Sequence, residues 1–148
     1  MVSTHRLVLV GENPHRTSIA ERPGLALTGS SGRNLCKIAG WEWLDYLRYT
    51  ERLNLFYDPQ PVWSRTLARE SASEMLNMFE NRRVILLGAK VAEAFGQNDA
   101  PLYRWFTERF PNHNTAVAFV PHPSGQNRVW NMKPERDRAR AFLEDLIP

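Results

Sequence analysis

The sequence predicts an α/β fold, namely a three-layer α/β/α sandwich with a four-stranded, mostly parallel sheet. Four short apolar runs alternate along the chain with segments of helical periodicity. The runs lack polar alternation, which indicates strands covered on both faces, as in a parallel sheet between two layers of helices. The chain contains no internal repeat or linker. We therefore expect residues 1–148 to form a single domain.

The first strand is predicted at 6–10, where the apolar run LVLV ends at Gly11. The polar loop at 12–29 is too long to be a mere connection in a compact domain. In an open parallel sheet, ligands bind where strand ends open into loops. The segment 11–16 is therefore the first place to look for chemistry.

A helix is predicted to begin near Ser30 or Ser31 with a hydroxyl cap, because the apolar residues at 35–39 fall at helical spacing. Its N-terminal amides would face the loop after the first strand, which suits an anion such as phosphate. A second short helix with aromatic packing is predicted to end before Thr50.

The second strand is predicted at 52–57, with Asn54 set among apolar neighbours. A buried amide must find hydrogen-bond partners, so Asn54 belongs either to a structural network or to a site that binds a ligand. Helical periodicity follows at 65–80. A third strand is predicted at 83–88, and it leads directly into a helix at 89–95.

The last third of the chain predicts an aromatic helix at 101–110, a fourth strand at 116–120 and an Arg-rich amphipathic helix at 134–146. The fourth strand is followed by a loop at 121–128 that contains a histidine, an asparagine and prolines, as does the segment 11–16. Parallel strands end at the same edge of a sheet. We therefore expect the two loops to face one cleft.

Composition limits the classes of protein that fit. With 19 Lys+Arg against 16 Asp+Glu, the net charge of +3 permits contact with nucleic acid without establishing it. Cys36 is the only cysteine, which excludes an intramolecular disulfide and a multi-cysteine zinc or iron–sulfur site within this chain. The apolar runs are too short for a signal peptide or a membrane span. We expect a cytoplasmic monomer without a membrane partner or cofactor.

A metal site is not predicted. Glu12, His15 and His122 are potential ligands in the two loops, but their spacing has no metal signature.

Four segments together resemble a known family. The residues at 11–14, Gly-Glu-Asn-Pro, have the form G-x-D/N/A-P after strand one, and those at 122–124, His-Pro-Ser, have the form H/N-P-S after the last strand. LTGSSGRNL at 27–35 is similar to FVGxxGxxL, and residues 84–96 are similar to a third strand with its helix. These are features of the uracil-DNA glycosylase superfamily. Because the iron–sulfur branch needs four cysteines, the resemblance implies a divergent member without a cluster.

The resemblance implies a DNA-repair hydrolase that cleaves the N-glycosidic bond of a uracil-like or modified base, on single-stranded DNA or after base flipping. Asn13 matches the residue that orients the attacking water, with help from Glu12, and His122 matches the residue that hydrogen-bonds the departing base. The residues implied in base binding are Asn54, Leu27 and His15. The residues implied in binding the DNA backbone are Ser124, Gly125, Gln126, Asn127 and Arg128.

Two departures from the family pattern leave a second hypothesis open. Leu27 stands where the family has an aromatic residue that stacks on the base, and Gln126 stands where its best-known branch has a leucine wedge. Trp41, Trp43 and Phe56 are the candidates to replace the stacking residue, although core packing is the favoured role of the two tryptophans. The second hypothesis is a non-cleaving module that holds a nucleic acid or a nucleotide in the same pocket. A third is an enzyme of a phage-like DNA-modification pathway.

Overall fold

The computed structural model of the protein describes residues 6–12, 26–56, 62–106 and 114–148. Within these ranges the chain forms a four-stranded sheet. The strands are β1 (Leu7–Gly11), β2 (Thr50–Asn54), β3 (Arg83–Leu87) and β4 (Ala116–Val120). Their order is β2-β1-β3-β4 and all three pairings are parallel, which confirms the predicted α/β class.

The described helices alternate with the strands as the periodicity predicts. They are α1 (Ser30–Ala39), α2 (Trp43–Tyr49), α3 (Arg65–Leu76), α4 (Ala89–Ala94) and α5 (Lys133–Leu143), with a 3₁₀ helix at Arg128–Asn131. In the part of the chain that the structure describes, none of these helices has the length and apolar character needed to cross a membrane.

The sheet separates two apolar cores, as expected of a three-layer sandwich. Leu7 and Leu9 of β1 contribute to the core that also holds buried residues of α1, α2 and α5. Val8 and Val10 contribute to the opposite core, with buried residues of α3 and α4. Successive strand residues face opposite sides of a sheet. Both faces are therefore covered, which explains why the apolar runs lack polar alternation.

The second strand lies earlier than predicted, at Thr50–Asn54 instead of 52–57. β1 determines its position, because the register pairs Leu7 with Thr50 and Gly11 with Asn54. The backbone N–H of Leu55 then donates to the carbonyls of Gly11 and Glu12, 3.0 and 3.1 Å away. Asn54 is therefore the last residue of its strand and lies at the carboxyl edge of the sheet.

The predicted helix at 101–110 is wrong over its described part, 101–106. Phe106 forms an antiparallel bridge with Val117 of β4, and Tyr103 adopts a φ of 60° that does not fit a helix. The rings of Tyr103 and Trp105 instead pack on Phe142 of α5. The aromatic spacing therefore indicated contact with a neighbouring helix rather than a helix of its own.

The predicted hydroxyl cap of α1 is also absent, since Gly29 is the N-cap and no side chain caps the helix. The turn before the helix approaches it closely: a Cβ atom on Gly32 would stand 1.9 Å from the carbonyl oxygen of Leu27. Leu27 has a φ of 56°, and its carbonyl accepts a hydrogen bond from the Tyr46 hydroxyl at 2.8 Å. This bond holds Leu27 at the edge of the sheet.

The last helix closes the fold against the first. The Arg140 guanidinium donates to the carbonyls of Lys37 and Ile38 at the end of α1. The indole N–H of Trp41 donates to the carbonyl of Leu143 at 3.1 Å. α1 is thereby held in place from the C-terminal end of the chain.

Candidate active site at the carboxyl edge of the sheet

The strand order creates a switch point at the centre of the sheet. From β1 the chain goes to β2 on one side and later to β3 on the other. In open α/β sheets such a point forms a crevice outside the carboxyl ends of the strands, where ligands bind. Glu12 follows β1 and Gly88 follows β3, so both lie at this crevice.

Gly88 brings the two polar loops together. A Cβ atom on Gly88 would stand 3.2 Å from Cβ and 3.3 Å from Cδ2 of His122, and 3.6 Å from Oε1 of Glu12. Gly88 has φ 102° and ψ 158°, a conformation that is open to glycine almost alone. Its N–H donates to the carbonyl of Val120, which ties the ends of β3 and β4. The imidazole of His122 and the carboxylate of Glu12 therefore share one glycine as a neighbour.

The hydrogen bonding of His122 fixes its tautomer. Its Nδ1 accepts the backbone N–H of Ser124 at 3.0 Å. Because a backbone N–H always bears its proton, Nδ1 must be unprotonated, and the neutral ring has its proton on Nε2. Burial lowers the pKa of His122 below its ordinary value; the Glu12 carboxylate opposes this and the Lys90 ammonium adds to it. The ring is thus a neutral donor at Nε2.

The loop after β4 holds His122 through its carbonyl. That oxygen accepts the amide N–H of Asn127 at 3.0 Å and the indole N–H of Trp130 at 2.9 Å. The side-chain oxygen of Asn127 also accepts the N–H of Val129 and caps the 3₁₀ helix. The amide of Asn127, a residue that the resemblance assigns to the DNA backbone, thus bonds to the residue that bears the imidazole, and its contact with DNA stays a prediction. Trp130 was missed, although an indole N–H normally needs a partner when buried.

The other residues assigned to DNA lie along the same loop. The Ser124 hydroxyl accepts the N–H of Gln126 at 3.2 Å, while the side chains of Gln126 and Arg128 are exposed. A Cβ atom on Gly125 would stand 3.2 Å from Nδ2 of Asn34 in α1. Asn34 therefore borders the loop. The sequence did not indicate this contact, because Asn34 lies within a segment of helical periodicity.

Asn54 and Leu27 meet over Gly11. A Cβ atom on Gly11 would stand 2.7 Å from Oδ1 of Asn54 and 3.0 Å from Cδ2 of Leu27. Leu27 is buried, with 8% of its surface exposed. Two of the three residues predicted to bind the base are thus together at the end of β1, which Glu12 follows in the chain.

Two of the three candidates for the stacking aromatic belong to the core. Trp41 is buried beside Tyr46, and Trp43 packs on the same Tyr46 ring. The guanidinium carbon of Arg33 lies over the Trp43 ring, 4.3 Å from its centroid. Phe56 lies on the opposite side of the sheet, where it packs edge-on against Trp63. Only Phe56 of the three therefore follows a strand end directly.

The roles assigned to Asn13 and His15 stay predictions, because both residues lie outside the described part of the chain. Among the described residues, no group of three His, Cys, Asp or Glu side chains is arranged to hold a metal ion.

No curated protein matches the chain. A family model described as the Uracil DNA glycosylase superfamily matches residues 2–147. With a four-stranded parallel sheet in its described residues and a match that spans nearly the whole sequence, this chain belongs to the uracil-DNA glycosylase superfamily.

Proposed function

We propose that the protein hydrolyses the N-glycosidic bond of a uracil-like or modified base in DNA. The observation behind the proposal is the neutral His122, whose Nδ1 is occupied by the Ser124 N–H while its ring lies beside Gly88 and Glu12. A fixed donor beside a carboxylate at the switch point suits a reaction in which a base departs as an anion and the sugar becomes cationic.

In the proposed reaction the bond between C1′ and the base nitrogen breaks, and its electron pair leaves with the base. The Nε2–H of His122 donates to a carbonyl oxygen of that base and stabilises the developing charge. Because the ring is already neutral, it keeps its proton and acts as a hydrogen-bond donor rather than as an acid.

The water oxygen then bonds to C1′, and one of its protons must leave. Asn13 is the residue proposed to orient this water, and an amide is a poor base. The carboxylate of Glu12, the next residue in the chain, can accept the proton and also stabilise the cationic sugar by its charge.

Asn54 is proposed to select the base. An amide offers both a donor and an acceptor, which matches the neighbouring N–H and carbonyl groups on the edge of a uracil-like ring. Its position over Gly11, beside Leu27, supports this role. Such readout requires a single-stranded substrate or a base flipped out of the duplex.

The test is incubation with labelled single- and double-stranded oligonucleotides containing uracil, hypoxanthine or hydroxymethyluracil, followed by alkali to cleave abasic sites. We expect cleavage by the wild type, and a loss of at least about tenfold in His122→Ala and Glu12→Gln. Glu70→Gln, an exposed carboxylate on α3, is the matched control and should cleave like the wild type. Equal cleavage by all four proteins contradicts the proposed roles.

A second function, binding without cleavage, is favoured by one observation. Leu27 is buried over Gly11 where the family pattern has a stacking aromatic. The absence of abasic product together with saturable binding would favour this function. Binding to DNA should then weaken steeply with salt, whereas binding of a free nucleotide should show a weak salt dependence.

A further inference from the structure

We propose that Phe56, Trp63 and Lys90 form a second nucleotide subsite, in which a base adjacent to the target base in single-stranded DNA stacks on Trp63 and its phosphate pairs with Lys90. The inference rests on the proposed function in one respect, because it extends the same cleft to a neighbouring nucleotide.

The three residues lie next to the candidate active site. Phe56 is two residues beyond Asn54, whose Oδ1 lies over Gly11. Lys90 is two residues beyond Gly88, the neighbour of His122 and Glu12, and its charge acts on the imidazole of His122. The subsite therefore adjoins the crevice between the ends of β1 and β3.

Packing fixes the aromatic pair. The rings of Phe56 and Trp63 meet edge-on, with centroids 5.7 Å apart and planes at 82°. Both are half-buried against the core below α3 and α4. They lie on the face of the sheet opposite to the core that contains Leu27. A nucleic acid at the crevice would thus meet Leu27 on one side and the aromatic pair on the other.

Lys90 provides a cation at the exposed side of this pair. Its Nζ lies 5.4 Å from the centroid of the Trp63 ring, and its side chain is exposed. A lysine ammonium on a flexible stem can leave a ring and pair with a phosphate. A base can then replace the ammonium on the Trp63 ring, since every base has a face that stacks on an aromatic ring.

The surface around Trp63 matches this ligand. Val62, the preceding residue, is 77% exposed and adds an apolar side chain to the surface next to Trp63 in the chain. An aromatic ring beside a cation is the combination by which proteins bind single-stranded nucleic acid without sequence preference. Charge complementarity with phosphate therefore favours a nucleotide of DNA over an uncharged ligand.

The chain contains a matched control for the aromatic ring of Trp63 and another for the cation of Lys90. Arg48 lies over Tyr49 with 5.3 Å between its guanidinium carbon and the ring centroid, nearly the geometry of Lys90 and Trp63. Tyr49 immediately precedes β2 and so lies at the opposite edge of the sheet. Tyr49→Ala and Arg48→Gln remove a similar pair far from the crevice.

The test measures binding of two fluorescein-labelled, single-stranded oligothymidylates by anisotropy. The first has a tetrahydrofuran abasic residue at its centre, and the second has abasic residues at the centre and at both flanking positions. We expect the wild type to bind the first about tenfold more tightly, through one stacked base. Trp63→Ala should lose this preference, Trp63→Phe should keep most of it, and Tyr49→Ala should keep all of it.

Salt titration with the first oligonucleotide tests the cation. Lys90→Gln should reduce the slope of log affinity against log salt by about 0.7, the contribution of one contact to a single strand, and Arg48→Gln should leave it unchanged. A Trp63→Ala protein that retains the wild-type preference, or a wild type without any preference, overturns the subsite.

The outcome is separable from that of the proposed function. Neither oligonucleotide contains a target base, so a protein that cleaves nothing can still show the preference. Preference without abasic product in the cleavage assay contradicts the proposed hydrolysis alone, and cleavage without preference contradicts the second subsite alone.

Discussion

The backbone N–H of Ser124 and Nδ1 of His122 are joined by a hydrogen bond of 3.0 Å, so the side chain that faces the crevice is held by the residue two positions further along. The proline between them, Pro123, is buried and has no N–H to compete for Nδ1. The His-Pro-Ser sequence therefore specifies both where the imidazole lies and which nitrogen bears the proton.

The first prediction concerns the ionisation of His122. Burial and the Lys90 ammonium lower its pKa, while the Glu12 carboxylate raises it. Glu12→Gln should therefore lower the pKa of His122 further, and Lys90→Gln should raise it towards the ordinary value. Titration followed by NMR of the imidazole nitrogens checks both signs. Shifts in the same direction in the two variants, or a neutral ring with its proton on Nδ1, would contradict the assignment.

The second prediction follows from the same lowered pKa. The folded protein binds a proton at His122 less readily than the unfolded chain does, so the free energy of unfolding should fall as pH decreases below about 6.5. The loss should level off once pH is below the folded-state pKa. In His122→Gln this part of the pH dependence should vanish. Urea titrations of both proteins between pH 5 and pH 8 provide the comparison, and identical profiles would rule out the effect.

The third prediction concerns the glycine between the two loops. Gly88→Ala should lower the free energy of unfolding by about 3 kcal/mol and also abolish cleavage, because the backbone is strained and the new methyl group presses on His122. Gly96→Ala is the control, since Gly96 also has a positive φ of 72° but nothing within 4 Å of its Cβ position. It should cost about 1 kcal/mol and leave cleavage intact. Equal losses of activity in Gly88→Ala and Gly96→Ala would contradict a role of the contact between residue 88 and His122.

The fourth prediction concerns the Asn54 amide, which can be moved without replacing Asn54 itself. Gly11→Ala places a methyl group 2.7 Å from Oδ1 of Asn54, so the amide must move. We expect a reduced discrimination between uracil and other bases in the cleavage assay. Gly29→Ala, where nothing lies within 4 Å of the Cβ position, should behave like the wild type. Unchanged base preference in Gly11→Ala would argue that Asn54 is only a structural residue.

The fifth prediction tests the hydrogen bond that Trp130 donates to the carbonyl of His122. Trp130→Phe removes the indole N–H that donates to the carbonyl of His122, at a cost of about 1 kcal/mol in stability. Cleavage should fall although Trp130 touches no reacting atom, and the tautomer of His122 should stay as in the wild type. Trp105→Phe, which changes an aromatic residue packed on Phe142, is the control and should retain activity. A fully active Trp130→Phe protein would contradict this positioning role.

The pattern of apolar residues predicted the sheet because each strand is covered on both faces. Val84 to Leu87 and the run from Leu7 to Val10 are completely buried, so no polar residue interrupts them. β2 was placed too late because its first residues, Thr50 and Glu51, are polar, whereas apolar residues continue past its end at Leu55 and Phe56. Its charged residues have partners: Glu51 pairs with Arg82, and the buried Arg52 donates to the carbonyls of Tyr46, Leu47 and Thr50. A charged residue in a strand is no signal of burial until its partners are known.

The candidate site was predictable only where it depends on strand ends. Glu12 and His122 were singled out because they lie in the loops that follow apolar runs, and Asn54 because it is a polar residue among apolar neighbours. Trp130 and Asn34 were not, since their parts depend on contacts between elements that no local pattern contains. The role of Asn127 could not be predicted either, because its bond to the carbonyl of His122 appears only in the folded loop.

The bonds from Arg140 to the carbonyls of Lys37 and Ile38 join parts of the chain that are 102 and 103 residues apart. During synthesis, the first helix emerges from the ribosome long before the arginine that holds it. The parallel strands likewise pair only after the helices between them have been made, and such non-local contacts slow folding. We infer that α1 takes its final position only after α5 has been synthesised, so a chain terminated before Lys133 would lack the bonds that hold α1 in place.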